Sequence, residues 1–179
     1  MGLPEFKERY TVEDYRQWEG DWELIEGVPY AMAPSPLAKH QLVCLVLGAL
    51  LEEQLRDCPE RCFVFPELDW IIDQNTVVRP DLSLVCHQVE DYLKEPPLVA
   101  IEVVSPNTAQ RDEILKFALY EREKVPYFVL VYPSLKKARI FALKEGKYSK
   151  VFDGERGSFP FKDLPCPLKI DFERLWQRL

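Results

Sequence analysis

No stretch of this 179-residue chain approaches the roughly 18 consecutive apolar residues that a membrane-spanning helix requires. The longest uncharged apolar stretch, Gln41 to Leu51, is too short and reads as a core helix. No membrane partner is therefore expected. The chain also lacks an excess of positive charge: 23 Lys and Arg stand against 30 Asp and Glu, a net charge of −7. That excludes a protein whose affinity for nucleic acid rests on an overall positive field. It leaves room for an enzyme that holds divalent cations in an acidic pocket, because the cations bring the local positive charge. The first residues, Met1 to Lys7, lack the charged-then-apolar pattern of a secretory signal, and the chain reads as cytoplasmic. Cysteine is scarce and irregular, with Cys44, Cys58, Cys62, Cys86 and Cys166. Cys58 and Cys62 stand four apart, but no second Cys or His pair follows at zinc-site spacing. The five are expected to be reduced thiols, several of them buried as small hydrophobes, with no disulfide framework.

What is present fits one domain over residues 1–179, with 1–10 as a loosely constrained lead-in. Thr11-Val12-Glu13-Asp14 has the form of a capping box and predicts a short helix to about Trp18. Trp22–Glu26 and Val28–Met32 predict a hairpin turning at Gly27, with Pro29 marking its second arm as an edge. Pro34-Ser35-Pro36 reads as a stiff connector in which Ser35 caps a helix from Pro36 to Arg56. The apolar spacing of that helix is broad enough to predict that it is mostly buried.

Cys62 to Ile72 is strand-like with an interruption at Pro66, and Thr76 to Val85 reads as its antiparallel return. Residues 87–96 read as a loop with room for one helical turn. Leu98–Val104 predicts a strand, Ala109–Arg122 a helix and Tyr127–Tyr132 a strand covered on both faces. This strand–helix–strand unit implies a parallel pair. Lys137–Leu143 and Lys147–Phe152 predict a C-terminal hairpin about Glu145-Gly146, and Asp171–Leu179 a final helix. The order describes a mixed α/β (α+β) fold: a mixed central sheet flanked by helices, with a hairpin near each end.

Glu102 is the residue that most needs explaining. It sits mid-strand in Leu98–Val104, where a buried ionised carboxylate costs several kcal/mol unless it is paired, hydrogen-bonded or metal-bound. Alternation places Ala100, Glu102 and Val104 on one strand face, and Asp81, Ser83 and Val85 on one face of another. Asp112, Lys116 and Tyr120 stand four apart on the following helix and form one stripe. If the two strands are neighbours, Asp81 and Glu102 converge. Two close carboxylates repel, and a divalent cation relieves that repulsion. Oxygen-only ligation suits Mg²⁺ or Mn²⁺.

Pro80-Asp81 followed by Glu102-x-Val104 resembles the Pro-Asp…(Asp/Glu)-x-Lys pattern of the restriction-endonuclease-like superfamily. The chain more closely resembles its Uma2 family, formerly a domain of unknown function. The likeness includes Glu23-Leu24-Ile25-Glu26-Gly27, His40-Gln41, Arg79-Pro80-Asp81-Leu82 and Glu102-Val103-Val104-Ser105-Pro106. It continues through Asp112, Lys116, Tyr120 and Tyr127–Pro133. The resemblance implies a restriction-endonuclease-like core and a metal-dependent DNA endonuclease. In it, Asp81, Glu102 and the Val103 backbone carbonyl hold Mg²⁺ or Mn²⁺, which activates a water for attack on a phosphodiester. The superfamily lysine would fall at Val104, and Lys116 would substitute from the helix. Glu26 resembles an additional N-terminal metal contact, and His40 would face the same cleft, with Asp112 and Tyr120 accessory.

Structural readings stand beside these. Asp81 can close a turn, Glu102 can pair with Lys116 or Arg79 without a metal, and Asp112 with Lys116 can be a surface pair. Glu26 can be an ordinary strand-end acid and His40 a satisfied helix histidine. Lys136, Lys137, Arg139 and Lys144 read as a solvated hairpin or as a phosphate contact. A catalytically eroded binding module on the same fold is the alternative function. A homodimer, built on C-terminal aromatics including Phe172 and Trp176, is expected with either.

Overall fold

The computed structural model describes residues 8–32 and 37–179. The connector at 34–36, with its proposed cap Ser35, lies outside the described residues. Two sheets share the chain. A four-stranded sheet has the order β2-β1-β5-β4, and a six-stranded sheet the order β10-β9-β8-β7-β6-β3. Here β1 is Trp22–Ile25, β2 Val28–Ala31, β3 Phe63–Pro66, β4 Trp70–Asp73, β5 Thr76–Val78, β6 Leu82–Val85, β7 Val99–Val103, β8 Tyr127–Tyr132, β9 Lys137–Lys144 and β10 Lys147–Gly154. A separate pair, β11 Ser158–Pro160 and β12 Lys169–Asp171, was not marked by any alternation in the sequence.

Local chemistry accounts for most of these elements. Helix α1, Val12–Tyr15, starts at the expected capping box, with Thr11 and Asp14 bonded reciprocally, and ends three residues short of Trp18. Glu26 and Gly27 both have positive φ, 51° and 79°, as a tight hairpin turn requires. A side chain at Gly27 would also meet Arg9 Cβ at 3.0 Å and the Tyr10 carbonyl at 3.3 Å. Pro29 lies on the edge strand β2, where no ladder donor is missed. Residues 87–96 contain no helical turn; Leu93 instead bridges to Trp70.

The expected single return strand over Thr76–Val85 is two strands in different sheets. β5 pairs with β1 and β4, whereas β6 pairs with β3 and β7. Arg79-Pro80-Asp81 is the joint. Proline has no N–H to give a ladder and restricts the residue before it, so pairing lapses there. The crossing leaves Asp81 at the seam between the sheets, just before β6.

Helix α2, Ala38–Leu55, packs on one face of the large sheet through Val43, Leu47, Leu51 and Leu55. Burying each such side chain is worth about 1.5–3 kcal/mol. The helix is not mostly buried as its composition suggested: Leu45 is 70% exposed. Phe172, Leu175 and Trp176 of α4, Phe172–Trp176, join this core. They are therefore unavailable as the exposed dimer surface expected of them.

On the other face of the sheet, Ala100, Val104, Phe128 and Leu130 pack with Leu119 and Tyr120 and with Ile25, Trp70 and Val78 of the small sheet. β7 runs parallel to β8, and the connection carries a π-helical segment, Arg111–Lys116, that runs into α3, Phe117–Arg122. Among the described residues no helix is long and apolar enough to cross a membrane.

The cysteines depart from expectation. Cys58 is bonded to Cys166 and Cys62 to Cys86, and only Cys44 is free. Sequence spacing conceals this, because the partners are 108 and 24 residues apart and meet only through the tertiary fold.

Candidate active site

The alternation of β7 turns Glu102 towards the helix that follows it. Its carboxylate is 2% exposed and is gripped at one oxygen: Lys116 Nζ lies 2.9 Å from Oε1, and the Tyr120 hydroxyl donates to the same atom at 2.6 Å. Among the described residues Oε2 has no hydrogen-bond partner. The π-helical segment explains how the helix reaches so far inward. Its turns hold more residues than the 3.6 of an α-helix, so residues four apart fall closer to one line. Asp112 and Lys116 are both buried, which rules out a surface pair.

Asp81 is held from the neighbouring segment. The Val103 N–H donates to its Oδ2 at 2.7 Å, and His40 Nε2 lies 3.2 Å from its Oδ1. In a strand the N–H and C=O of one residue point to the same side, so the Val103 carbonyl also faces Asp81. His40 projects from the first turn of α2, and its Nδ1 lies 3.7 Å from the Cys44 sulfur.

Two expected residues are placed differently, and two participants went unnoticed. Glu26 is outside the cleft; its carboxylate pairs with Arg122 at the exposed hairpin turn. Glu23 enters instead, fully buried, with Oε1 2.7 Å from Lys116 Nζ and accepting the Arg79 backbone N–H at 2.8 Å. Arg111 approaches its other oxygen at 3.4 Å. The signal for Glu23 was available: period-two alternation puts it on the face of Ile25, which is core. Glu26, beside the turn glycine, had no such partner. Arg79 does not meet Glu102, because its guanidinium is taken by Asp69 and Asp21, each at 2.7 Å. Val104, at the superfamily lysine position, packs in the core.

Glu23, His40, Asp81, Glu102, Asp112 and Lys116 line one cavity of about 480 Å³. Six carboxylates line it, the buried Glu23, Asp81, Glu102 and Asp112 and the less buried Asp21 and Glu67, against the buried Lys116 and the partly exposed Arg79 and Arg111. The electrostatics follow. Burial pushes the Glu102 carboxyl well above the usual carboxylate range, Lys116 pulls it back, and Asp112, Asp81 and Glu23 raise it further. Burial opposes the charge on Lys116, yet Glu102, Glu23 and Asp112 outweigh it and hold the ammonium above its ordinary range. The hydrogen bond to Asp81 raises His40, against the effect of burial. An oxygen-rich pocket with surplus negative charge and a free carboxylate oxygen fits a hard divalent cation. The basic hairpin does not extend this site: Lys137 and Arg139 both engage Asp153.

Burial makes the Asp112 charge unfavourable. It raises the carboxyl pKa from its ordinary 3.8 to about 6, with Lys116 and a Thr108 hydrogen bond opposing. Its folded pKa lies above the unfolded one, so the cost is absent below about pH 4 and fully present above about pH 6. Asp112→Asn is expected to stabilise the metal-free chain by roughly 1–2 kcal/mol at pH 8 and by little at pH 4, as read by urea unfolding with a chelator. An equal effect at both pH values would contradict this assignment of the burial cost.

Comparison with known proteins places the family and the fold. The family model described as "Uma2: Putative restriction endonuclease" matches residues 12–168. The chain belongs to the Uma2 family. Among solved structures, this Uma2 chain is similar to a protein of Anabaena variabilis, described as a putative nuclease belonging to DUF820. The TM-score is 0.77 at 16% identity, over 93% of this chain and 97% of that one. At that identity the likeness establishes the fold, a mixed α+β architecture shared with that protein. No curated protein matches the Uma2 chain.

Proposed function

We propose that this chain is a metal-dependent endonuclease that hydrolyses DNA phosphodiester bonds, working as one restriction-endonuclease-like domain. The observation that carries the reading is the surplus of buried carboxylate around one cavity, in a chain of the Uma2 family. Asp81, Glu102 and the Val103 carbonyl would hold Mg²⁺ or Mn²⁺. Bound there, the cation supplies a water of lowered pKa and offsets charge developing on the phosphate.

The chain's own residues do the rest. The Val103 N–H fixes Asp81, and Tyr120 fixes Glu102, so both acids are oriented before substrate arrives. Lys116, in place of the lysine missing at 104, aligns the attacking water and balances phosphate charge. Glu23 keeps Lys116 from collapsing wholly onto Glu102. His40, whose Nε2 lies 3.2 Å from Asp81 Oδ1, orients that carboxylate at the mouth of the cleft. Cutting both DNA strands calls for two such clefts, which a homodimer would supply.

A second reading has one observation in its favour. Lys116 bridges both Glu23 and Glu102, so those acids have a counter-charge without any metal. A catalytically eroded binding module would look the same. Incubation of plasmid and single-stranded DNA with Mg²⁺, Mn²⁺, Co²⁺ and Ca²⁺ in turn separates the two. The nuclease reading expects cleavage with Mg²⁺ or Mn²⁺ that a chelator abolishes. No cleavage with any of the four would favour the eroded module.

A further inference from the structure

Four cysteines meet at the end of the large sheet opposite the acidic cleft. Cys58 follows α2, Cys62 precedes β3, Cys86 follows β6 and Cys166 lies between β11 and β12. The two disulfides they form are in contact, with the Cys166 sulfur 3.3 Å from that of Cys62. The sulfurs of Cys58, Cys62 and Cys166 all lie within 4.8 Å of one another, and Cys86 is bonded to Cys62. Four sulfurs from four separate segments therefore occupy one small volume.

We propose that in the reduced protein these cysteines are a tetrathiolate site for one zinc ion, and that the paired disulfides are its oxidised, metal-free form. With Zn–S bonds of about 2.3 Å, tetrahedral sulfurs stand roughly 3.8 Å apart, near the 3.3 Å between the Cys62 and Cys166 sulfurs, and the bonded pairs separate on reduction. Cys58 and Cys62 have three residues between them, within the two to four usual for paired zinc ligands. The second pair was invisible in the sequence because Cys86 and Cys166 are 80 residues apart in the chain. Cys62 and Cys166 are buried in the apolar core and Cys58 and Cys86 half-buried beside it, and four protein sulfurs would fill all four positions, as in structural zinc sites.

The alternative, two disulfides as permanent staples, has less to do at this point. Phe63 is registered opposite Val85 on β3 and β6, so the ladder already holds Cys62 beside Cys86. One metal would instead fasten four segments at once.

The chemistry balances with a dithiol reductant. Each disulfide takes up two electrons and two protons as one dithiol becomes a disulfide, giving four thiols in all. Binding Zn²⁺ then displaces four protons. The placement also ties this site to the cleft. α2 runs from His40 towards Cys58, and β6 runs from Asp81 to Cys86. An ion holding Cys58 and Cys86 together locks the two elements whose opposite ends carry His40 and Asp81.

The test uses the full chain reduced with a phosphine and titrated with Zn²⁺ or Co²⁺. The proposal expects one equivalent of zinc, protection of four of the five thiols from alkylation, and a thiolate-to-cobalt charge-transfer band. Cys44→Ser should leave metal content and band unchanged, whereas Cys58→Ser should lower both at least tenfold. Asp81→Asn should retain the band, which separates this site from the acidic cleft. A reduced chain whose five thiols all alkylate in the presence of Zn²⁺, folded or not, overturns the proposal. So does a cobalt complex without the thiolate band.

Discussion

Asp81→Ala is expected to lower metal-dependent DNA cleavage by about 10²–10³-fold or more, because a cation-binding carboxylate accounts for several kcal/mol of transition-state stabilisation. The variant does two things. It removes a negative charge from the cleft, and it strips the Val103 N–H of its acceptor. The second effect alone costs about 1–3 kcal/mol of stability, the penalty for a buried unpaired donor. Asp81→Asn separates them. Its amide oxygen can still accept from Val103, so stability should largely survive while cleavage is lost. Initial rates on supercoiled plasmid, set beside urea unfolding of both variants, check the prediction. A rate within threefold of wild type in either variant would remove Asp81 from the mechanism.

Lys116→Met should destabilise the metal-free chain by roughly 3–5 kcal/mol, the penalty for leaving a buried charge without its counter-ion. Both Glu23 and Glu102 lose their shared ammonium at 2.7 and 2.9 Å, in a place where neither reaches solvent. The loss should shrink when Glu102→Gln is added, since the pair is coupled. It should shrink also in saturating Mn²⁺, which supplies the missing positive charge. Urea unfolding with chelator and with Mn²⁺ reads both effects. A loss below about 1 kcal/mol would mean that the three groups are not the interdependent cluster the distances describe.

Much of this was legible in residue order, for definable reasons. The strand pattern of Leu98–Val104 marked Glu102 as a buried acid with Lys116 or Arg79 as its partner, and the four-residue spacing put Lys116 and Tyr120 on one stripe, without showing that Tyr120 also reaches Glu102. The capping box at Thr11 and the turn at Gly27 are local chemistry, so they could be read locally. What escaped depends on contacts between distant segments. The chain changes sheets at Pro80, and only the pairing of β5 with β1, against β6 with β7, reveals it. Pairing of β1 with β5 also sets Glu23 against the Arg79 backbone, while Glu26 stays in the hairpin turn. The π-helical turns at Arg111–Lys116 have no compositional mark. They are set by what Asp112 and Lys116 must reach. Phe172 and Trp176 looked like free aromatics because nothing in the sequence showed that α4 packs back beside α2.

The competing demands at Lys116 explain why a sequence with Val at 104 need not be inert. A lysine at 104 would have to displace packing shared with Ala100, Tyr120 and Leu130. Delivering the ammonium from the helix leaves that core intact and lets Glu23 help to place it. Burial raises the Glu102 and Asp112 carboxyls and their acidic neighbours raise them further, and a bound cation would relieve that repulsion.

Calorimetric titration of the oxidised chain with Mn²⁺ tests that conclusion most directly. One saturable equivalent, lost in both Asp81→Asn and Glu102→Gln, is the expected result. Absence of binding heat in the wild-type chain, or binding that survives both substitutions, would contradict a cation held between these two acids.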